Sequence, residues 1–252
     1  MADPVRIAHL LRVQDLFPIL QKEGGTYGSD LLKEMSGMDP DAAWGAEVAK
    51  IHDPEQLMPA FREDFGRALT GADEPAIEAW LDTPLGRRVV GLELQTREAL
   101  LDPALEDRAI QAAEEADAAD DPRLAAVRRV IAASDLVETN VIGGLNANLA
   151  FYRAMAAGNA FPYEVTEADM LADVAAQEED IRADVTAWLE GYLFAAYGAL
   201  SLDELQQLAQ FNASAAGQEL LRAEFTAFDR IYESTSAALG AALARRLTSA
   251  DL

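Results

Sequence analysis

The sequence has no cysteine and only two histidines, and these absences remove most common kinds of catalytic and metal site. Without cysteine there are no disulfides, no thiolate metal ligands and no cysteine nucleophile. His9 and His52 lack the Glu-x-x-His spacing of helical two-metal sites, because Arg6 and Ala49 occupy the positions three residues earlier. The spacings of a P-loop, a dinucleotide fingerprint and a nucleophile elbow are also missing. We therefore predict no catalytic residue, no cofactor and no metal ligand.

Long apolar runs and large basic clusters are missing as well. No apolar stretch reaches the ~18 residues that a membrane-spanning helix needs. The chain carries 44 acidic residues against 20 Lys and Arg, a formal net charge of -24, so phosphate backbones and anionic lipids would be repelled. The densest basic clusters are three arginine pairs: Arg87-Arg88, Arg128-Arg129 and Arg245-Arg246. We predict no nucleic-acid binding and no membrane insertion, and the acidic surface either maintains solubility or faces a partner.

Aromatic residues make up only 7% of the chain, and β-branched runs that would indicate strands are absent. What dominates instead is alanine with leucine, glutamate, glutamine and arginine, which is typical of long helices. This composition predicts an all-α protein. Gly24-Gly25 and Gly143-Gly144 are predicted to end the first helix of each half.

A polar stretch divides the chain into two halves. Residues 114–121 contain no large apolar side chain, and they lack the glycine turn and spaced ligands of a calcium-binding loop. We interpret 103–122 as an acidic, solvated connector. The predicted architecture is a two-lobed helical bundle, with an N-terminal helical repeat at 4–102 and a C-terminal helical repeat at 123–248.

The two halves resemble each other when the chain is shifted by 131 residues. With this shift, residues 68–94 align with residues 199–225 without a gap, and residues of the same chemical class occupy the matched positions. The matched pairs include Trp80 with Phe211, Thr83 with Ser214, Gly86 with Gly217, and Glu93 with Glu224. This pattern predicts a tandem duplication, whereas the alternative is two amphipathic segments that agree because such segments look alike.

The shared motif consists of a short helix, an aromatic residue, a threonine or serine, a glycine and a long helix. The hydroxyl of Thr83 or Ser214 is suited to accept a backbone N–H at the start of the long helix. Glycine at 86 and 217 allows the first turn to pack closely on the preceding helix. The aromatic side chain is expected to fill the corner between the two helices. The motif is therefore predicted to be structural and not reactive.

The C-terminal copy resembles the DUF2059 family of bacterial helical proteins. The resemblance rests on Ser201-Leu202-Asp203-Glu204-Leu205 and on the segment from Gln210 through Phe211, Ser214 and Gly217 to Gln218. It is good over 188–232 and weaker over 61–101. The resemblance implies a small helical protein, usually exported, without an established activity. Because Met1-Ala2-Asp3 also resembles a signal-cleavage boundary, we expect a periplasmic protein, with a cytoplasmic one as the alternative.

Aromatic residues are concentrated in the second half, where eight of the eighteen lie between positions 188 and 232. They either form a better core or line a groove between helices. The residues that we predict for such a groove are Trp188, Tyr192, Phe225 and Phe228.

Three functional hypotheses follow from this sequence. The first is a non-enzymatic binding or interaction protein of the cell envelope, in keeping with the acidic surface and the lack of a reactive motif. The second is a carrier of a small apolar ligand in the aromatic groove. The third is an enzyme of a type that no sequence motif reveals.

Overall fold

The computed structural model describes residues 4–69, 71 and 73–250, with side chains described up to residue 248. Within these ranges every regular element is helical, which confirms the predicted all-α class. None of the described helices is long and apolar enough to cross a membrane. The helices are α1 (Pro4–Leu10), α2 (Val13–Ser36), α3 (Ala42–Ile51), α4 (Pro54–Ala68), α5 (Glu74–Leu81), α6 (Pro84–Ala99), α7 (Pro103–Ala118), α8 (Pro122–Ala133), α9 (Leu136–Ala157), α10 (Glu167–Ala176), α11 (Glu178–Ala196), a 3-10 turn (Tyr197–Ala199), α12 (Leu202–Asn212) and α13 (Ala215–Ala250).

Side-chain caps explain where many of these helices begin. Asp53, Asp102 and Asp121 precede α4, α7 and α8, and each carboxylate accepts a backbone N–H from the first turn, where proline follows directly. Thr166 and Ser201 begin α10 and α12 with reciprocal capping boxes, as their sequence patterns predict.

The two predicted glycine stops are wrong, because both glycine pairs lie inside continuous helices. α2 runs through Gly24-Gly25, and α9 runs through Gly143-Gly144. A Cβ on Gly24 would come closer than 3.0 Å to the imidazole of His52, and one on Gly143 would lie 2.8 Å from a carboxylate oxygen of Asp229. These glycines therefore allow a neighbouring side chain to approach the helix backbone, and they do not end the helix.

The stretch predicted as a solvated connector forms a helix that packs against the protein. Residues Ala109, Ala113 and Ala116 of α7 are buried, and α7 lies along α11. The approach is so close that a Cβ on Gly191 of α11 would lie 2.9 Å from the backbone of Ile110. Small side chains supply the contact here, so the absence of large apolar residues does not indicate a free segment.

The two halves of the chain share their hydrophobic cores. One cluster joins Phe17, Phe61 and Phe65 of the N-terminal half to Leu220 and Ile231 of α13. Another joins α2 and α3 to α9 and α13. Because α13 packs on α9 and also on α4, α3 and α5, the predicted lobes are not separately cored bodies.

Candidate functional site

The predicted helix-corner motif occurs twice with the same hydrogen bonds. Thr83 Oγ1 accepts the backbone N–H of Gly86 at 3.0 Å, and Ser214 Oγ accepts that of Gly217 at 3.1 Å. A Cβ on either glycine would come closer than 3.0 Å to the backbone of the preceding helix. Both corners therefore combine a hydroxyl cap with a close approach that only glycine permits.

The two motifs also contact each other. The rings of Trp80 and Phe211 stack with centroids 4.1 Å apart and planes 9° apart. The two aromatic rings thus fill the corners of their own motifs and also form the contact between the motifs, which we call the junction. Gln218 lies beside this junction, where its side-chain amide donates to the carbonyl oxygens of Ala133 and Asn212 at 2.8 and 2.7 Å.

Polar contacts between the motifs are reciprocal. Arg88 forms an ion pair with Glu204 at 2.8 Å. Glu219 and Asp73 are the residues that the 131-residue shift matches to Arg88 and Glu204, and the Glu219 carboxylate accepts the backbone N–H of Asp73 at 3.3 Å. In each contact a residue of one motif bonds to the partner motif, and the matched residues exchange places. Such reciprocal contacts are characteristic of two units related by a two-fold axis. The duplication of the sequence itself stays a prediction.

Asn212, next to this junction, lines a cavity of about 520 Å³ that lies between the helices and is partly open to solvent. Helices α2, α6, α9, α11 and α13 supply most of its wall. All four residues predicted for a groove, Trp188, Tyr192, Phe225 and Phe228, line this one cavity. The cavity is in the size range of sites for small organic ligands.

The aromatic wall carries polar groups that donate hydrogen bonds to two glutamate residues. The Tyr197 hydroxyl donates to Glu93 Oε1 at 2.5 Å, and the Tyr192 hydroxyl donates to the backbone carbonyl of Glu93 at 3.0 Å. The indole N–H of Trp188 donates to Glu106 at 2.8 Å. These bonds fix the orientation of three aromatic rings along one side of the cavity.

Glu93 of α6 and Glu224 of α13 are partly buried acids that line the cavity. Loss of solvent around the carboxyl raises the pKa of Glu93 to about 7, although the hydrogen bond from Tyr197 opposes the shift. The same loss of solvent, and then the nearby Glu93, raise the pKa of Glu224 to about 8. Glu93 and Glu224 are also a pair matched by the 131-residue shift.

A third acid lies at the same wall, whereas the one cationic residue lining the cavity is already paired. Burial raises the pKa of Asp229. Arg97 donates through two nitrogens to both carboxylate oxygens of Glu23, at 2.8 and 2.9 Å, and lies 5.8 Å from the ring centre of Trp188. The cavity therefore holds more acidic groups than cationic ones.

Sequence reasoning predicted the aromatic wall and missed these charged residues. The available signal was the placement of Glu93 directly before Leu94 and of Glu224 directly before Phe225, within the apolar stripe of each helix. An acid in an apolar stripe is unusual enough to mark a site. The two histidines are not part of the cavity wall: His9 is exposed, and the His52 ring bonds to the carbonyl of Val48.

The described residues contain no group of three His, Asp or Glu side chains placed to hold a metal ion. Comparison of the chain with protein-family models, with curated proteins and with solved structures finds no match, so the resemblance to the DUF2059 family stays a prediction.

Proposed function

We propose that this chain is a non-enzymatic protein that binds a small organic molecule in the cavity between α6, α9, α11 and α13. The cavity itself carries this proposal. Its volume of about 520 Å³ is enough for a small organic molecule, and it is open enough for such a molecule to enter. Its wall combines aromatic faces with a few convergent polar groups, which is the usual composition of a ligand site.

The unpaired carboxyl of Glu224 supports the same proposal. Among the described residues no hydrogen bond reaches this carboxyl, which is partly buried and faces the cavity. Its oxygens stay accessible from the cavity, so they are free to accept hydrogen bonds from a bound molecule. The carrier hypothesis therefore has more support than an interaction protein that acts only through its acidic exterior.

Native mass spectrometry of the protein purified gently from its own host tests the proposal. We expect an added mass of a few hundred daltons that denaturation releases. Ala147 lines the cavity on α9, so Ala147→Phe should fill part of it and remove the added mass. Ala157→Phe, at an exposed position at the end of the same helix, is the matched control and should retain the mass. Bare protein in both cases would contradict the proposal.

An enzyme remains the second candidate because of the acid pair. Two carboxyls with raised pKa values in one cavity are a common arrangement for proton transfer. The released molecule distinguishes the two candidates. A carrier returns it unchanged after incubation with the protein, whereas an enzyme converts it to a new mass that the Glu224→Gln variant no longer produces.

We also propose that the protein acts in the cell envelope, on the support of the DUF2059 resemblance. Fractionation of its host tests this location. Recovery in the periplasmic fraction is expected, and recovery with a cytoplasmic marker enzyme would contradict it.

A further inference from the structure

The chemistry of the cavity wall identifies a ligand class, an inference that rests on the proposed binding function. We propose that the ligand is an organic cation, with a protonated amine bound by Glu93 and Glu224 and an apolar body against Trp188, Tyr192 and Phe225. The charges, the unfilled acceptors and the aromatic faces each favour this class.

The charge of the wall is the first reason. Three acids line the cavity, Glu93, Glu224 and Asp229, against the single cation Arg97. Arg97 is occupied by both oxygens of Glu23, so it offers little to an anionic ligand. An ammonium group would favour the ionised forms of these acids, whereas a carboxylate or phosphate would oppose their ionisation.

The unfilled acceptors are the second reason. In the described part of the chain, the Glu224 carboxyl receives no hydrogen bond, and Glu93 receives one at Oε1 from Tyr197. An ammonium group has three N–H donors and no acceptor, so it matches two carboxylates that lack donors. A neutral apolar ligand would leave Glu224 without a partner and Glu93 with only Tyr197.

The aromatic faces are the third reason. Trp188 and Tyr192 stack with ring centres 4.9 Å apart, and Phe228 and Tyr232 stack at 6.2 Å on the opposite helix. Aromatic faces attract cations when water is excluded, and Arg97 already lies over Trp188 in this way. The remaining ring surface is suited to the hydrocarbon body of an amine.

Binding of a cation must release protons near neutral pH. The two carboxyls are largely protonated at pH 6, and a bound ammonium group favours their ionised forms. Burial also raises the pKa values of Tyr192, Tyr197 and Asp229, and Arg97 stays charged. The groups that face the acid pair are Arg97 with Glu23, Tyr192, Tyr197, Tyr27, Asp229 and Tyr232.

Three probes test the proposal: 4-phenylbutylamine, 4-phenylbutanol and 5-phenylpentanoate. They share a phenyl ring on a four-carbon chain and differ in the charge of the head group. Isothermal titration calorimetry with the full chain at pH 6, 7 and 8, in buffers of different ionisation enthalpy, gives affinity and proton release together. We expect the amine to bind best, with release of about one proton and an affinity at least about tenfold higher at pH 8 than at pH 6.

Two variants separate a direct contact from a general charge effect. Glu224→Gln should lower the amine affinity about tenfold and reduce the proton release, while Glu179→Gln, at an exposed position on α11, should change neither. A thermal unfolding curve of each variant establishes that it is folded.

The outcomes distinguish failure of the ligand class from failure of the function. Tighter binding of the alcohol, or tighter binding of the carboxylate with proton uptake, overturns the cation proposal and leaves the cavity as a ligand site. If none of the three probes binds, the cation proposal is overturned. The binding function then depends on the added mass seen by native mass spectrometry and on its loss in Ala147→Phe.

Discussion

The two aromatic regions of this molecule use matched positions for different purposes. Phe61 on α4 is fully buried, with ring centres 5.7 Å from Phe17, 5.5 Å from Phe65 and 4.6 Å from Phe228. The 131-residue shift matches Phe61 to Tyr192 on α11, whose hydroxyl bonds to the backbone of Glu93 at the cavity wall. The phenylalanine rings of the first region pack on one another, while the cavity wall adds tyrosine and tryptophan rings whose polar atoms bond to glutamate residues. Phe228 belongs to both regions.

One bundle of helices thus contains both a tightly packed aromatic core and a cavity with polar aromatic side chains. Apolar rings are stabilised by close packing against each other, and the phenylalanine region is therefore closely packed. Tyrosine and tryptophan need hydrogen-bond partners when they are buried, and here Glu93 and Glu106 provide them. We expect substitutions in the first region to affect stability and those in the second to affect binding and pH dependence.

The largest expected effect is the loss of a ring from the phenylalanine region. Phe61→Ala should lower the free energy of unfolding by about 3–5 kcal/mol, because it leaves a cavity among packed rings. Tyr192→Phe should cost about 1 kcal/mol, because it removes a single hydrogen bond. Urea unfolding measures both. Equal losses in the two variants would mean that the regions do not differ in the way described.

The next effect is a loss of stability as the pH rises in the ligand-free protein. Glu93 and Glu224 have pKa values of about 7 and 8 when folded, against an ordinary value of 4.5, so the folded state holds more protons between these limits. The free energy of unfolding therefore falls as the pH rises from about 5 to 8, by an amount on the order of 3 kcal/mol for each of the two acids.

Variants of single acids isolate this contribution. Glu224→Gln should flatten the dependence of the free energy of unfolding on pH, since the uncharged amide no longer loses a proton. Glu179→Gln should follow the wild-type curve. A wild-type stability that rises steadily from pH 5 to 8 would contradict the burial of the acid pair.

The smallest effect concerns the bond between Tyr197 and Glu93. This bond lowers the pKa of Glu93 against the effect of burial, so Tyr197→Phe should raise that pKa above about 7. The exposed Tyr163 provides the control, and Tyr163→Phe should leave the titration unchanged. The ¹³C chemical shift of the Glu93 carboxyl measures both, and a lower pKa in Tyr197→Phe would exclude the assigned role.

Patterns that depend on local chemistry were predictable from the sequence. The all-α class followed from composition, and the caps at Thr166 and Ser201 followed from their spacing to an acid three residues on. The glycine pairs were misread because glycine is equally suited to a helix end and to a close side-chain approach. Only the positions of His52 and Asp229 show that the second reason applies at Gly24 and Gly143.

The site was predictable in its aromatic part and not in its charged part. Four aromatic residues spaced along α11 and α13 indicated a shared face, and all four line the cavity. That Glu93 and Glu224 face the same cavity depends on how α6 and α13 are placed around it, which helical periodicity does not specify. Their match under the 131-residue shift was visible, but it did not indicate burial.

The titration of Glu93 and Glu224 in the ligand-free protein tests this account most directly. With ¹³C-labelled glutamate, NMR should find two carboxyls that titrate near pH 7 and 8, and 4-phenylbutylamine should move both to lower values. If every glutamate instead titrates near its ordinary value of 4.5, the acids are open to solvent and the proposed cavity site is wrong.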